Sequence, residues 1–255
     1  MIIRHDKDHP VDYSRRRPEA VYSRPEREAK ARKILAVLSD SLSAPMAQLR
    51  VLDVGCSSGI ITNFLARHFR SVTGTDIDRE ALAYAVRTRA SNADFLPADA
   101  MELPFQGESF DVIICAHVYE HVPDCRKLIK EVHRVLRRGG VCFFAAGNRL
   151  RLFEPHYRLP FLSVLPGSLA DWYLAISGKG SHYQEKHLTY WGLKRLVSGF
   201  QVLDYTKKIL QNPEKFSATR LCRPGSLKQK SAILFCKLAY GLIPTYIFLL
   251  KKTKT

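Results

Sequence analysis

Three carboxylates, each at a point where a predicted strand ends, are the residues whose spacing best suits chemistry. Asp53 closes a short apolar run and stands just before two glycines, Gly55 and Gly59. Asp76 lies 21 residues after Gly55, and Asp99 follows the next predicted strand. Because the carboxyl ends of parallel strands meet at one edge of a sheet, we expect these groups to surround one ligand site.

The glycine spacing indicates which ligand this edge suits. Gly55 and Gly59 form a G-x-x-x-G pattern, whereas dinucleotide-binding loops place three glycines as G-x-G-x-x-G around a pyrophosphate. A carboxylate such as Asp53 beside that loop favours a cationic ligand over a diphosphate. An acid at the second strand end, here Asp76, can accept hydrogen bonds from both hydroxyls of a ribose. Asp99 lies where an adenine amino group could donate to it.

The elements that must position these residues alternate between strand and helix patterns. Apolar runs predict strands, and amphipathic stretches with periodic apolar residues predict helices. Strands are predicted at 49–54, 71–75, 94–96, 110–116, 141–146, 201–205 and 246–250. Helices are predicted at 25–43, from the glycine-containing turn after the first strand through about residue 70, and at 79–89, 122–138, 168–176, 189–199 and 226–243. Gly139-Gly140 would end the helix at 122–138. Such alternation predicts a parallel sheet with helices on both faces.

Charge is distributed unevenly along the 255 residues, whose formal net charge is +16. Residues 1–50 carry a net +4, residues 51–146 a net −1 and residues 147–255 a net +13. This asymmetry favours an anionic partner, which could be nucleic acid, a phospholipid surface or a phosphorylated substrate. A basic surface without a specific partner is the alternative. The 46% hydrophobic content excludes a mainly disordered chain.

Cysteine usage and the N-terminal residues favour a cytoplasmic protein. None of the cysteines is spaced as C-x-x-C, so we expect them to be buried as small apolar side chains in a reducing compartment. The first 17 residues lack an apolar core and do not predict a signal peptide. The cysteines are Cys56, Cys115, Cys125, Cys142, Cys222 and Cys236.

The apolar stretch from Ser231 to Leu250 is long enough to be tested as a membrane span. Lys237 lies inside it and Pro244 divides it, and a centrally placed lysine is costly in a bilayer. An ordinary buried helix followed by a terminal strand is therefore the favoured interpretation. Contact with a membrane interface is the alternative, so a peripheral location on the cytoplasmic membrane face stays open.

Five segments together resemble the class I S-adenosylmethionine-dependent methyltransferases, and specifically their type 11 group. The resemblance covers about residues 30–147, and Ser57-Ser58 depart mildly from the small residues usual in the family. The segments are VLDVGCSSG (51–59), TDID (75–78), ADAMELPF (98–105), FDVIICAHVYEHV (110–122) and LRRGG (136–140).

The resemblance implies an α/β fold with a doubly wound, Rossmann-like sheet of seven strands. The strands would be mostly parallel with an antiparallel last strand, and an insertion of helices and loops would follow the fifth strand. We accordingly divide the chain into a polar N-terminal arm (1–24), a cofactor-binding core (25–147), an acceptor-site insertion (148–188) and a C-terminal part of the sheet (189–255). That last part would carry a basic, apolar helical insertion.

The resemblance also implies that S-adenosyl-L-methionine is the cofactor. Gly55, Cys56, Ser57 and Gly59 would pass close to its methionine part, and Asp53 would act toward its ammonium group mainly through water or backbone. Asp76 would hold the ribose hydroxyls, with Ile77 beside the adenine. Asp99, Ala100 and Met101 would bind the adenine, and His117 and Val118 would lie under the sulfonium. Tyr22 is a further candidate to cover the cofactor.

The acceptor site is expected in residues 148–190, where arginines, aromatics, a carboxylate and histidines are mixed. His156 is the first candidate for a catalytic base, and Glu154 is the second. Arginines could grip an anionic acceptor. The other substrate-binding candidates are Asn148, Arg149, Arg151, Arg158, His182, Tyr183 and His187. No metal is expected, because the His117/His121 pair lies at a helix boundary and no cluster has convincing ligand spacing.

Three functions remain open from the sequence. The first is methyl transfer to a small-molecule or lipid-linked acceptor at a membrane surface. The segments 154–157 and 244–247 are similar to bacterial methyltransferases of surface-glycan or lipid-linked metabolism, and the core resembles ubiquinone and menaquinone C-methyltransferases. The second is RNA methylation, favoured by the basic charge, although no RNA-binding module or N-P-P-Y motif is recognised. The third is a non-catalytic module that binds S-adenosylmethionine.

Overall fold

A seven-stranded sheet dominates the computed structural model, which describes residues 13–253. Its strands are β1 (Arg50–Val54), β2 (Ser71–Asp76), β3 (Ala93–Pro97), β4 (Phe110–Ala116), β5 (Leu136–Gly147), β8 (Gln201–Asp204) and β9 (Thr245–Lys251). Their order is β3-β2-β1-β4-β5-β9-β8. β9 runs antiparallel to both β5 and β8, and the other pairings are parallel. The predicted fold class is confirmed.

Helices cover both faces of the sheet. Side chains of α3, α4 and α9 pack on one face, and those of α6 and α8 pack on the other. Alternate strand residues point to opposite faces, so Val51 and Leu52 lie in different core clusters, both fully buried. The helices are α1 (Tyr13–Arg16), α2 (Pro18–Tyr22), α3 (Arg24–Ser41), α4 (Ile60–Ala66), α5 (Arg79–Arg87), α6 (Cys125–Val135), α7 (Gly167–Ile176), α8 (Tyr190–Leu196), α9 (Tyr205–Gln211) and α10 (Leu227–Leu238).

Helix α6 ends earlier than the sequence predicts. The periodicity and Gly139-Gly140 predict a helix through Arg138, but α6 ends at Val135 and the chain enters β5 at Leu136. The buried ammonium of Lys252 donates to the carbonyls of His133, at 2.9 Å, and of Leu136, at 2.8 Å. A lysine from the end of the last strand thus satisfies the helix C-terminus where a glycine cap was expected.

The N-terminal segment contains helices where the sequence predicts a polar arm. Its described part, from Tyr13 onward, forms α1 and α2, while residues 1–12 lie outside the described residues. The Ser14 N–H donates to Asp78 Oδ2 at 2.7 Å, and Ser58 Oγ donates to the Val21 carbonyl at 2.6 Å. These bonds hold the segment against the carboxyl edge of the sheet.

The insertion leaves and rejoins the core at adjacent points. Asn148 and Leu188 form an isolated parallel bridge, and the Arg149 N–H donates to the Leu188 carbonyl at 2.9 Å. Between them lie a small antiparallel hairpin of β6 (Phe153–Glu154) and β7 (Leu159–Pro160), and α7, which the sequence predicts.

Helix α10 and strand β9 confirm the predicted helix-then-strand division of residues 231–250, but the predicted burial of the helix is wrong. Gln229 and Cys236 are the buried residues of α10, while Leu227 is 82% exposed. Among residues 13–253, no helix has the length and apolar character needed to cross a bilayer. All the cysteines are free, and all but Cys125 are buried, as the sequence predicts.

Candidate cofactor and acceptor site

A cavity of about 530 Å³ opens at the carboxyl edge of the sheet, where the loops after β1, β2, β3 and β4 meet. Helices α1 and α3 and the insertion close its other sides. Of the residues that the sequence predicts for the site, the cavity is lined by Gly55, Ser57, Asp76, Ile77, Ala100, His117, Val118, Arg151 and His156.

The loop between β1 and α4 brings backbone close to the cavity. Gly55 has φ +70°, and a Cβ there would lie 2.7 Å from Val118 Cγ2. Gly59 has φ +69°, and a Cβ there would lie 2.7 Å from Ala85 and from the Phe95 ring. Both positions need a left-handed conformation and leave no room for a side chain, so glycine is required at both.

Asp76 presents a half-buried carboxylate at the end of β2. Its Oδ2 accepts from the Ser57 N–H at 2.8 Å, and its Oδ1 accepts from the Asp78 N–H at 2.9 Å. Burial raises the pKa of Asp76, although these backbone donors oppose the shift. The carboxylate therefore joins the first and second loops and still lines the cavity.

Asp53 lies beneath the cavity and does not line it. The side chain is 4% exposed, and Thr62 Oγ1 donates to its Oδ2 at 2.6 Å. Burial raises the pKa of Asp53 to about 6. Any action of Asp53 on a ligand must therefore pass through the loop above it, as the sequence analysis expected of an indirect contact.

The buried charge of Asp53 predicts a pH-dependent stability. The folded protein binds the Asp53 proton more tightly than the unfolded chain does. The contribution of Asp53 to the free energy of unfolding therefore falls by about 3 kcal/mol as the pH rises from about 4 to 6. We expect Asp53→Asn to increase the free energy of unfolding at pH 8 and to leave it almost unchanged at pH 4. Urea unfolding at both pH values measures this, with the exposed Asp94→Asn as control. A loss of stability at pH 8 would contradict the prediction.

The third strand end lies beside the cavity through Ala98 and Ala100, which line it. Asp99 Oδ1 accepts from the Met101 N–H at 2.8 Å, which fixes the turn after β3. Asp99 and Met101 do not themselves line the cavity, and neither do Cys56 and Gly59.

The loop after β4 places His117 and Val118 at the cavity floor. His117 has φ +61°, its N–H donates to the Ala145 carbonyl at 2.9 Å, and its Nδ1 lies 3.1 Å from Glu120 Oε1. Burial alone would raise the pKa of Glu120, but the bond from His117 and the nearby histidine charges lower it to about 2. Glu120 is thus a buried anion in the cavity wall.

His156 and Glu154, the two candidate bases, form a dyad at the edge of the insertion. His156 Nδ1 lies 2.6 Å from Glu154 Oε1, and Glu154 Oε2 accepts from the N–H groups of His156 and Tyr157 at 2.7 and 2.8 Å. Glu154 is fully buried and does not line the cavity, whereas His156 does. Burial opposes the charged ring, but Glu154 outweighs it and raises the pKa of His156.

Two further rings surround His156. Tyr13 and His121 line the cavity, and the His121 ring centroid lies 5.5 Å from that of Tyr13 and 5.4 Å from that of His156. Burial lowers the pKa of His121 to about 4, so this ring stays neutral. Burial also raises the pKa of Tyr13. Tyr22, the residue suggested to cover the cofactor, instead packs against Tyr84.

Helix α3 adds three cationic side chains to the cavity, and none of them was predicted from the sequence. Arg27, Lys30 and Lys33 line it from one face of the helix, because residues three apart share a face. Arg27 donates to the Ala20 carbonyl at 2.9 Å and to Ser57 Oγ at 3.4 Å. Burial lowers the pKa values of Lys30 and Lys33, and within residues 13–253 neither forms an ion pair. The period-three run of cations before the first strand is the signal that could have revealed them.

Except for Arg151, the polar residues predicted to bind the acceptor lie outside the cavity. The Asn148 amide donates to the Gly241 and Ile243 carbonyls, both at 2.8 Å, and so joins the insertion to the residues before β9. Arg149 donates to the Val164 carbonyl at 3.3 Å. Arg151 alone of the suggested arginines lines the cavity, 3.3 Å from buried His187. Arg158 is exposed, and His182 and Tyr183 contact Asp171.

The residues present fit S-adenosylmethionine. Gly55 presents backbone to the cavity at a position where a Cβ would collide with Val118, and Asp76 offers a carboxylate for ribose hydroxyls at the next strand end. Arg27, above Ser57, suits a ligand carboxylate. The cavity volume lies within the range of small-molecule sites.

Sequence comparison finds related proteins with a named activity. The methyltransferase domain family matches residues 52–144. The chain is 32% identical over 168 residues to the ubiquinone biosynthesis O-methyltransferase of Pseudomonas entomophila, covering 62% of this chain and 67% of that protein. The same-named proteins of Psychrobacter cryohalolentis and Pseudomonas syringae are 32% and 38% identical, covering 56% and 42% of this chain. The chain matches 55% and 47% of the length of those two relatives.

Solved structures share the fold at low sequence identity. An S-adenosylmethionine-dependent methyltransferase from Mesorhizobium loti has a TM-score of 0.56 at 20% identity, covering 86% of this chain and 97% of its own. The [4+2]-cyclase SpnF has a TM-score of 0.53 at 22% identity, covering 88% and 82%. Because these neighbours differ in reaction, the fold alone does not assign one. Together with the sequence relatives, the strand order and the glycine loop, they show that the chain belongs to the class I S-adenosylmethionine-dependent methyltransferases.

Proposed function

We propose that the protein transfers a methyl group from S-adenosylmethionine to a hydroxyl oxygen of a small-molecule or lipid-linked acceptor. The observation that carries the proposal is the His156–Glu154 dyad in the cavity wall, with an Nδ1-to-Oε1 distance of 2.6 Å. The relatives named as ubiquinone biosynthesis O-methyltransferases support oxygen as the acceptor atom.

The dyad gives His156 the role of a general base. Bound to Nδ1, Glu154 holds the ring proton there and leaves Nε2 to accept a proton from the acceptor hydroxyl. The buried Glu154 carboxylate stabilises the imidazolium that results. Bound S-adenosylmethionine supplies a methyl group already activated by its sulfonium, so the protein's tasks are positioning and proton removal.

Other residues of the cavity would bind the cofactor. Asp76 would accept hydrogen bonds from the ribose, the Gly55 loop would contact the methionine part, and Arg27 would pair with the carboxylate. Neutral His121 and the Tyr13 ring exclude water beside the base. The chain thus separates cofactor binding, on the sheet edge, from proton transfer, on the insertion.

The acceptor region combines apolar walls with cations. Ile34, Phe143 and Ile247 line the space between α3 and the sheet and suit an aromatic ring or a prenyl chain. Lys30 and Lys33 border the same space and suit an anionic substituent such as a carboxylate or phosphate. We infer a phenolic acceptor that carries one such group.

Lys33→Gln tests the anionic substituent. For a dihydroxybenzoate whose two hydroxyls are adjacent, we expect the KM to rise about tenfold, because one charged contact is lost. The KM for the matching catechol without a carboxylate should stay the same. Steady-state kinetics on the two acceptors measure this. Equal changes for both acceptors would contradict an anion contact at Lys33.

The proposed reaction is tested by incubating the purified protein with methyl-labelled S-adenosylmethionine and acceptors paired by nucleophile. The panel holds catechols, matched anilines, matched thiophenols and a structured RNA. Labelled O-methyl ether from a catechol would support the proposal. Label in RNA alone, or cofactor binding without transfer to any acceptor, would overturn it in favour of RNA methylation or a non-catalytic module.

A further inference from the structure

Helix α10 carries an apolar stripe that faces solvent. Leu227 is 82% exposed, Leu234 is 56% exposed and Leu238 is 78% exposed. These positions are seven and four residues apart, so they lie within about 40° of one another around the helix axis. The buried residues Gln229 and Cys236 lie on the opposite side. The helix thus packs on the protein with a narrow buried side and turns these leucines outward.

Lysines flank the stripe on both sides. By helical spacing, Lys230 and Lys237 lie about 60–80° to one side of the leucines, and Lys228 lies about 100° to the other. No Asp or Glu occurs from 215 to 255. Exposed leucines between lysines, with no acid in the helix itself, form the pattern of a helix that lies in the interface of an anionic bilayer.

The apolar surface continues beyond the helix. Leu242 follows α10 and is 46% exposed, and Trp191 is 61% exposed on α8. The Trp191 ring lies against Gly241, where an added Cβ would come within 2.7 Å of it. Tryptophan suits the boundary between lipid headgroups and acyl chains.

The lysines beside the leucine stripe indicate which kind of partner binds this surface. A second copy of the chain would bring two lysine-flanked stripes together, and like charges would repel. RNA would neutralise the lysines but leave the leucines in water. An anionic lipid surface satisfies both the leucines and the lysines.

We propose that α10 is an interfacial helix that docks the protein on anionic phospholipid bilayers. Leu227, Leu234 and Leu238 enter the acyl-chain boundary, and the flanking lysines contact lipid phosphates. This docking requires no methyl transfer, so its test is independent of the proposed function.

Sedimentation with vesicles tests the proposal. The probes are vesicles of phosphatidylcholine alone and of phosphatidylcholine mixed with phosphatidylglycerol. We expect binding to the mixed vesicles that weakens at high salt, and a loss of about tenfold or more in partitioning for Leu227→Gln/Leu238→Gln. In a Trp172→Phe background, Trp191 fluorescence should shift to the blue on binding.

The matched control is Leu169→Gln/Ile176→Gln on α7, whose two side chains are 50% and 61% exposed. This variant should bind like the unaltered protein. Absence of binding to the mixed vesicles would overturn the proposal. Binding lost in the α7 variant but kept in the α10 variant would also overturn it. A concentration-dependent dimer dissolved by the α10 substitutions, without vesicle binding, would assign the stripe to a second copy instead.

Discussion

His156→Gln is expected to lower kcat for methyl transfer to a hydroxyl by about 10²–10⁴-fold, the usual contribution of a general base. Glutamine keeps polar atoms near Glu154 but cannot accept the acceptor proton. The affinity for S-adenosylmethionine should be unchanged, because Asp76 and the Gly55 loop lie on the sheet edge. Single-turnover kinetics and calorimetric titration measure the two quantities separately.

The pH profile identifies the base. Because Glu154 raises the pKa of His156, the ring is protonated at lower pH and activity should increase as the pH rises through that pKa. Glu154→Gln should move this rise to lower pH and reduce kcat, since the ring loses its counter-charge. The matched control is His182→Gln, an exposed histidine bound to Asp171. If the pH dependence of kcat does not shift in Glu154→Gln, the dyad is not the source of base catalysis.

Asp76→Ala is expected to weaken S-adenosylmethionine binding about 10²-fold or more. Two hydrogen bonds from ribose hydroxyls to a carboxylate are lost, each worth about 1.5–3 kcal/mol. Because Asp76 also accepts the Ser57 and Asp78 N–H groups, the loop beside it loses support. Calorimetric titration with S-adenosylmethionine and with S-adenosylhomocysteine measures the loss.

Asp94→Ala is the matched control for Asp76, because its side chain is 80% exposed on the neighbouring strand β3. Asp76→Asn keeps the side-chain volume and separates loss of charge from loss of packing. Circular dichroism shows whether each variant is folded. A folded Asp76→Ala protein with unaltered affinity would remove Asp76 from the cofactor site.

The cavity residues that follow the first, second and fourth strands could be predicted from sequence because their signals are local. Gly55 and Asp76 sit at strand ends, and the strands themselves follow from apolar runs that pair in register in the sheet. The fold class was predictable for the same reason. Residues 110–116 and 141–146 are continuous apolar runs, which are typical of strands buried on both faces of a sheet.

The side of the cavity formed by α1, α3 and the insertion depends on packing that no local sequence pattern encodes. Tyr13 and Lys33 reach the cavity because α1 and α3 cross the sheet edge, and that crossing depends on contacts between distant segments. Arg158 and His182 have suitable chemistry but point away, since the hairpin and α7 decide their direction. The C-terminus of α6 was mispredicted because its cap, Lys252, is distant in sequence.

The Asn148–Leu188 bridge joins the two ends of the insertion where it leaves the sheet. Since the segment starts and ends at one point, its length and sequence can change without moving β5 or β9, at a small cost in loop-closure entropy. Asp76 and the glycine loop lie outside the exchanged region. Replacing residues 149–187 would therefore change what the insertion contributes to the cavity, namely Arg151, Pro155 and His156, and would leave Asp76 and the walls formed by α3 and the sheet in place.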